Sequence, residues 1–459
     1  MNILKAIYIF IVAITMSTAL TSCEKMIEVD DPINQITREQ VFADVNTANA
    51  ALDNLYMELQ ANSMFGRRLG ALLGTYTDDL DAHFPPSSSS MDNLNVYFNQ
   101  VIPSNSEVLS LWNNAYKEIY VANAIISGVD ETTSISIADK RRIKGEALLI
   151  RTMIYFQLQR LFGDIPYTIS TDYQENKMLS RMGSTEFYLK LQEDIGSAVD
   201  LLEDNYRNAE RIYLNKKAAQ LVQANIYLTL GKFQAAEEAC RTILANAIYN
   251  IQQDVSKVFK KNGNHIIWQL KPLIANQAVP ETGIYYFSSA PPPAHSLSIN
   301  LVNTFEEVDL RKQQWITKVK GNGVSFYRND KYKNYATNAD EYSVVMRLEE
   351  VYFVLSEALA NQDKIIEAGS FINMIRVRSG LSPISNNLDK NAFIAELLKE
   401  KRREFFAEQG LRFFDLKRNS RLQELTAIKP NWQQFHQFWP LPQNEMQLNP
   451  NLKPQNQGY

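Results

Sequence analysis

The sequence predicts an all-α fold: a scaffold of paired helices with an inserted, loop-rich aromatic region. Two observations carry this. Apolar residues recur every three or four positions over most of the chain, the period of a helix with one buried face. Residues 261–342 break that period and gather rings instead: Trp268, Tyr285, Tyr286, Phe287, Trp315, Phe326, Tyr327, Tyr332 and Tyr335. The composition is that of a globular chain, with 459 residues, 45% hydrophobic and 21% charged. A net charge of −4 provides no broad basic field for nucleic acid. Two cysteines exclude a disulfide framework and a four-cysteine metal site. With 22 Tyr and 22 Phe against 4 His, the chain is rich in flat rings and poor in general bases.

The first segment reads as an address. Residues 6–20 are uncharged and follow Lys5. The run is short of the ~20 residues that span a bilayer and matches the apolar region of a secretory signal. Leu20-Thr21-Ser22-Cys23 then resembles the bacterial lipobox, so cleavage before Cys23 and lipidation of its thiol are expected. Several acyl chains give durable anchoring, at about 0.8 kcal/mol per buried methylene. An uncleaved anchor and a plain secreted protein are the competing readings. The segment Glu24-Lys25-Met26-Ile27-Glu28-Val29-Asp30-Asp31 is an acidic tether, read as a solvated linker or as an export signal. The expected organisation is a signal peptide over 1–22 and one helical domain over 23–459, with the insertion at about 261–342.

The helices follow in order. Leu109, Trp112, Tyr116, Ile119 and Asn123 share one face. Ile143, Ala147, Ile150, Ile154, Leu158 and Leu161 repeat the pattern, and Gly163 with Pro166 ends that helix. Phe187, Leu191, Ile195, Ala198 and Leu202 form another stripe. Residues 78–107 read as loop, from His83-Phe84-Pro85-Pro86 and the serines after it. Within residues 221–244, the turn Gly231-Lys232-Phe233 with Ala236 resembles the tetratricopeptide helix–turn–helix. Residues 351–378 read as a second, degenerate pair. A last long helix begins near Asn391 and is closed by Gly410. Cys240, inside a helical pattern, reads as a buried and inert thiol.

Catalytic motifs are missing. None of His83, His265, His295 and His436 lies in an HExxH motif, and no phosphate-binding glycine loop occurs. Gly321-Asn322-Gly323 reads as a turn, and Gly323-Val324-Ser325 lacks the second glycine of a nucleophile elbow. A glycosidase needs two carboxylates at no fixed spacing, so Asp78, Asp79 and Asp81 stand as the one loop cluster open to that reading. Turn formation and polar ligand contacts are the favoured roles for them. No catalytic residue, cofactor or metal is assigned. Rings in loops can stack on the CH face of a sugar, hold an extended peptide, or pack against a protein. The ligand-contact candidates, chosen from loop composition, are Asp78, His83, Phe84, Tyr97, Trp268, Tyr285, Tyr286, Trp315 and Tyr327.

Several blocks resemble one family nearly end to end. They are the tether from Cys23 to Pro32, Leu111-Trp112 through Tyr120 with Asn123, and Gly145-Glu146-Ala147 through Leu161-Phe162-Gly163-Asp164-Ile165-Pro166. Arg347-Leu348-Glu349-Glu350, Ile375-Arg376-Val377-Arg378-Ser379-Gly380, and Glu400-Lys401-Arg402-Arg403-Glu404 with Arg412 and Asp415 follow. The tail from Leu441 through Glu445 and Asn449-Pro450 to Gly458-Tyr459 closes the match, with Gln457 where the family has Pro. By these motifs the chain resembles the SusD/RagB family of outer-membrane nutrient-uptake lipoproteins. The resemblance implies a tetratricopeptide-like scaffold. It also implies a surface binder that lids a TonB-dependent, SusC-like barrel and delivers an oligosaccharide, or in some members a peptide. A glycan hydrolase and a protein-only scaffold are the remaining readings. Glu404, Arg403, Arg412 and Asp415 have the types and spacing of structural ion pairs.

Overall fold

The computed structural model describes residues 37–61, 64–87, 89–385 and 387–459, together with Ile3. The expected signal, Cys23 and the acidic tether lie outside the described residues. The longer helices are α1 (Val45–Ala61), α2 (Leu69–Tyr76), α3 (Met91–Tyr97), α4 (Ser106–Glu131), α5 (Ile137–Phe162), α6 (Ser184–Leu201), α7 (Lys216–Thr229) and α8 (Phe233–Leu244). After the insertion come α9 (Leu348–Asn361), α10 (Ile365–Arg378), α11 (Lys390–Phe405) and α12 (Leu411–Arg418). Among the described residues no helix is long and apolar enough to cross a membrane.

Helices α4 to α10 pack each against the next, as stacked helix pairs do. The stripes explain it. All six stripe residues read for α5 are buried, and so is almost every residue from Gly145 to Phe162, which makes α5 the central rod of the array. It starts at a Ser136 cap and stops at Gly163, whose φ of +77° a side chain would resist. The repeat-like turn is present: Gly231 takes a φ of +69° between α7 and α8, and Ala236 is fully buried where the helices meet. Pair α9–α10 repeats the arrangement with another left-handed residue, Asp363, at its turn. Cys240 is buried on α8, and burial pushes its thiol far above the usual range.

Three expectations change. Residues 261–342, expected to be mostly loop, also contain strands. They hold β2 (Ile266–Leu270), β3 (His295–Leu297), β4 (Ile316–Gly321) and β5 (Val324–Asn329). The strands β4 (ITKVKG) and β5 (VSFYRN) form a surface hairpin with little apolar alternation, which hid them from a hydrophobicity pattern. Residues 78–107 likewise hold β1 (Leu80–Ala82) and α3. Gly410 does not close α11, which ends at Phe405; with a φ of +68° it opens α12. Strands β1, β3, β5 and β4 form one antiparallel sheet in that order, while β2 pairs with β6 (Ser343–Arg347). A large core fills the helical array. A smaller one, built on Leu80, Phe259, Leu297, Phe305, Trp315 and Phe406, lies under the four-stranded sheet.

The two cores are tied by buried charge. Glu404 accepts from Arg347 at 2.5 Å, Arg378 at 2.6 Å and Arg311 at 3.2 Å. Glu400 accepts from Arg376 and Arg403, each at 2.8 Å, and pairs with Arg311 at 2.6 Å. Arg412 binds Asp78 instead, and Asp415 binds Lys401 and Arg418. The four charges read as one cluster thus serve separate pairings, all of them structural.

Candidate functional site

Side chains alternate across a strand, so the four-stranded sheet has two chemistries. One face is core: Leu80 pairs with Leu297, and Leu297 with Tyr327. The other carries Asp81, Ser296, Phe326 and Arg328, extended by His83 just past β1. The Asn322-Gly323 turn, with φ of +50° and +80°, closes the two-residue hairpin that aligns Phe326 and Arg328 on this face.

The groups on this outer face connect in a row. Tyr97 Oη donates to Asp81 Oδ1 at 3.2 Å, and Asp81 stands opposite Ser296 across the β1–β3 pair. Ser296 Oγ shares a 2.8 Å hydrogen bond with His83 Nε2, and the His83 ring meets Phe326 edge to face at 5.3 Å. Arg328 donates to Phe287 O at 2.8 Å and to Asp330 at 3.1 Å, and its guanidinium lies 4.6 Å from the Tyr286 centroid. Tyr286 stacks on Tyr335 at 3.9 Å, and Tyr335 is 55% exposed. Beside Tyr97 opens a cavity of about 130 Å³, lined by Asp81, Asn99 and Lys429 among others. Lys429 Nζ donates to Thr75 O and Tyr97 O, and burial lowers this ammonium to about 8.

The electrostatics suit binding more than proton transfer. Burial lowers the His83 imidazole, and burial with His83 nearby lowers His295 to about 4, so both rings are neutral at pH 7. Burial, with Asp81 adding, raises the Tyr97 hydroxyl to about 12, which keeps it a donor. The Asp81 carboxylate retains acceptor capacity beyond its Tyr97 bond. Asp78 and Asp79 are 4% and 2% exposed. Arg402 Nε donates to Asp79 at 2.8 Å, and Arg412 holds Asp78 at 3.0 and 3.1 Å. Burial would raise Asp78, but Arg402 and Arg412 outweigh it and lower it; at Asp79 burial wins and raises it. This pair fixes α11 and α12 to the segment before β1. Among the described residues no group of His, Cys, Asp and Glu is placed to hold a metal ion.

Of the nine candidates, His83, Tyr97 and Tyr286 come together on this row. Phe84 is half-buried, edge-on to His295 at 5.0 Å. Tyr327 lies on the core side, with Lys318 Nζ 5.9 Å from its ring centroid. Trp268, Tyr285 and Trp315 are buried, and Asp78, held by Arg412, lines the cavity beside Tyr97. The indole N–H of Trp268 donates to Ile212 O at 3.2 Å and that of Trp315 to Val255 O at 3.0 Å, while Tyr285 Oη donates to Ala407 O at 3.2 Å. Each is a large ring that fills a core and satisfies its polar tip on backbone. The candidate list lacked Asp81, Phe326, Arg328 and Tyr335. Only the alternation within VSFYRN, read as a strand, separates Phe326 and Arg328 from Tyr327.

Comparison with known proteins agrees with this architecture. Residues 21–228 match a SusD-like family model described as starch-binding and associating with the outer membrane, and residues 300–459 match the SusD family model. SusD-like protein P2 of Formosa agariphila is 24% identical over 510 residues, covering 97% of this chain and 98% of the relative. SusD-like protein P25 of the same organism is 28% identical over 259 residues, 54% of this chain and 49% of the relative. A SusD superfamily structure from Bacteroides vulgatus superposes with a TM-score of 0.79 at 20% identity, covering 91% of this chain and 100% of that one. Surface glycan-binding protein A from Bacteroides thetaiotaomicron, solved with laminarihexaose, superposes with a TM-score of 0.73 at 16% identity, covering 90% and 99%.

Proposed function

The chain belongs to the SusD/RagB family, and from that premise we propose that it captures an oligosaccharide on the outer face of its four-stranded sheet and delivers it to a TonB-dependent, SusC-like barrel for import. The observation that carries this is the row from Tyr97 through Asp81, His83, Phe326 and Arg328 to the Tyr286–Tyr335 stack. Phe326 and Tyr335 offer ring surface for the CH face of a pyranose. Asp81 accepts from sugar hydroxyls, and His83, positioned by the buried Ser296 hydroxyl, offers a further polar contact. Binding is non-covalent, and the lid opens through contacts with barrel and ligand. The chain is held at the outer membrane, facing outward, by a lipid on Cys23 after removal of residues 1–22; residues 23–459 act as one helical unit.

Calorimetry against a panel of neutral glycans, laminarin and starch oligosaccharides included, and a mixed peptide pool tests the reading. The double variant Phe326→Ala, Tyr335→Ala should bind the selected glycan about tenfold more weakly or worse, a loss of about 1.4 kcal/mol or more, with thermal unfolding unchanged. Heat with peptides and none with any glycan would sink the glycan assignment. Cys23→Ala should lose acyl mass and membrane retention.

A further inference from the structure

A second groove, of about 750 Å³, shares no lining residue with the sheet face. Its size is that of a small-ligand site. Three segments build it. Helix α4 supplies Trp112, Tyr116 and Tyr120 on successive turns; the first two rings lie 4.8 Å apart, and Tyr120 is 50% exposed. The chain after α5 supplies Pro166 to Leu179, including the helical turn Tyr173–Asn176. The C-terminal helix Gln443–Leu448 supplies Glu445.

The wall is tied together by its own polar groups. Tyr116 Oη donates to Pro166 O at 2.8 Å, Thr168 Oγ1 to Asn176 Oδ1 at 2.7 Å, and Asn449 Nδ2 to Leu179 O at 2.8 Å. Two lining groups are left without a protein partner among the described residues: the Trp112 indole N–H and the half-buried Glu445 carboxylate. Lys177 is exposed at the rim, 5.6 Å from the Tyr173 ring centroid. Glu445 thus lines the groove together with the three rings.

We propose that this groove is a second ligand site, for a ligand that carries a protonated nitrogen beside an apolar or pyranose face. Ring faces and a carboxylate both attract a cation, and the indole N–H donates to a hydroxyl or carbonyl oxygen on the same ligand. A neutral glycan lacks the cation. The chain's own tether is a poor occupant, since Glu24, Glu28, Asp30 and Asp31 outnumber Lys25. An amino sugar and an arginine-bearing peptide both present the required chemistry. The site stands independently of the sheet-face reading.

Titration calorimetry on the purified chain separates these sources. The probes are a glucosamine tetramer, its fully N-acetylated counterpart, and a tetrapeptide containing arginine. One cationic probe should bind and the acetylated sugar should not; which one binds names the source. Glu445→Gln and Tyr120→Ala should each weaken binding about tenfold, while Phe326→Ala leaves it unchanged. Tyr120 is exposed, so its variant reports even where Glu445→Gln unfolds. No heat with either cationic probe, acetylated-sugar binding that both groove variants weaken equally, cationic-probe affinity unchanged by both groove variants, or its loss in Phe326→Ala would each overturn the site.

Discussion

Glu118 sits on α4 with 2% exposure, and neither carboxylate oxygen finds a partner among the described residues. Burial, with Glu58 adding, pushes its carboxyl up to about 8. The native state therefore keeps a proton that the unfolded chain releases near 4.5. With the folded value raised, stability falls as pH climbs from the unfolded value to about 8 and levels off beyond it. Glu118→Met keeps the shape and removes the acid. The variant should gain on the order of 3 kcal/mol over the parent at pH 8 and little at pH 4.5, read by denaturant unfolding at both values. An equal difference at both pH values would contradict the assignment. At this scale the sequence was a poor guide. Leu109-to-Asn123 spacing marked the buried stripe of α4 without disclosing that Glu118 is buried beside it. Trp268 and Trp315 were chosen from loop composition, which does not show that large rings are drawn inward once a core is near.

Elements were legible in proportion to their apolar period. Helices α5 and α6 carry stripes of about five and four turns and appeared where expected, with Gly163 and Leu202 just past their ends. The β4–β5 hairpin had no such stripe, and only its turn was read correctly. That turn positions half the sheet-face row. Gly323 at φ +80° has open space where a Cβ would stand, so Gly323→Ala meets backbone strain and no clash. A left-handed alanine costs about 1–2 kcal/mol. The cost falls on a surface hairpin, so glycan affinity should drop several-fold while the main unfolding midpoint moves little. Asn322 and Gly323 share the strain-relieving geometry, so Gly323→Asn should restore most of the affinity. A midpoint that falls with affinity would show that the hairpin supports the core as well.

Across the whole molecule the buried charges decide how the two cores stay joined. Burial alone would raise Glu400, but Arg311, Arg403 and Arg376 outweigh it and hold its carboxyl down at about 2; Glu404 is held lower still by Arg378, Arg347 and Arg311. Folded values below the unfolded 4.5 mean stability that is whole above that pH and lost as pH falls toward 2. Glu400 contributes on the order of 3 kcal/mol to this. The thermal midpoint should hold from pH 7 to 5 and drop steeply from 4.5 to 2.5. Salt should change it little, because these pairs are screened by protein rather than solvent. Glu404→Gln removes the carboxylate that three buried guanidiniums share, although Arg311 keeps Asp309 and Glu400, Arg347 keeps Glu408 and Arg378 keeps Glu349, and should cost on the order of 3 kcal/mol at pH 7. Arg311 belongs to the inserted region, Arg347 ends β6 at the start of α9, and Arg378 ends α10, so both acid and Glu404→Gln should remove glycan binding together with folding. That separates the network from the sheet face, where Phe326→Ala with Tyr335→Ala weakens binding and leaves the midpoint in place. A midpoint unchanged between pH 5 and 2.5 would mean that apolar packing alone holds the inserted region on the helices.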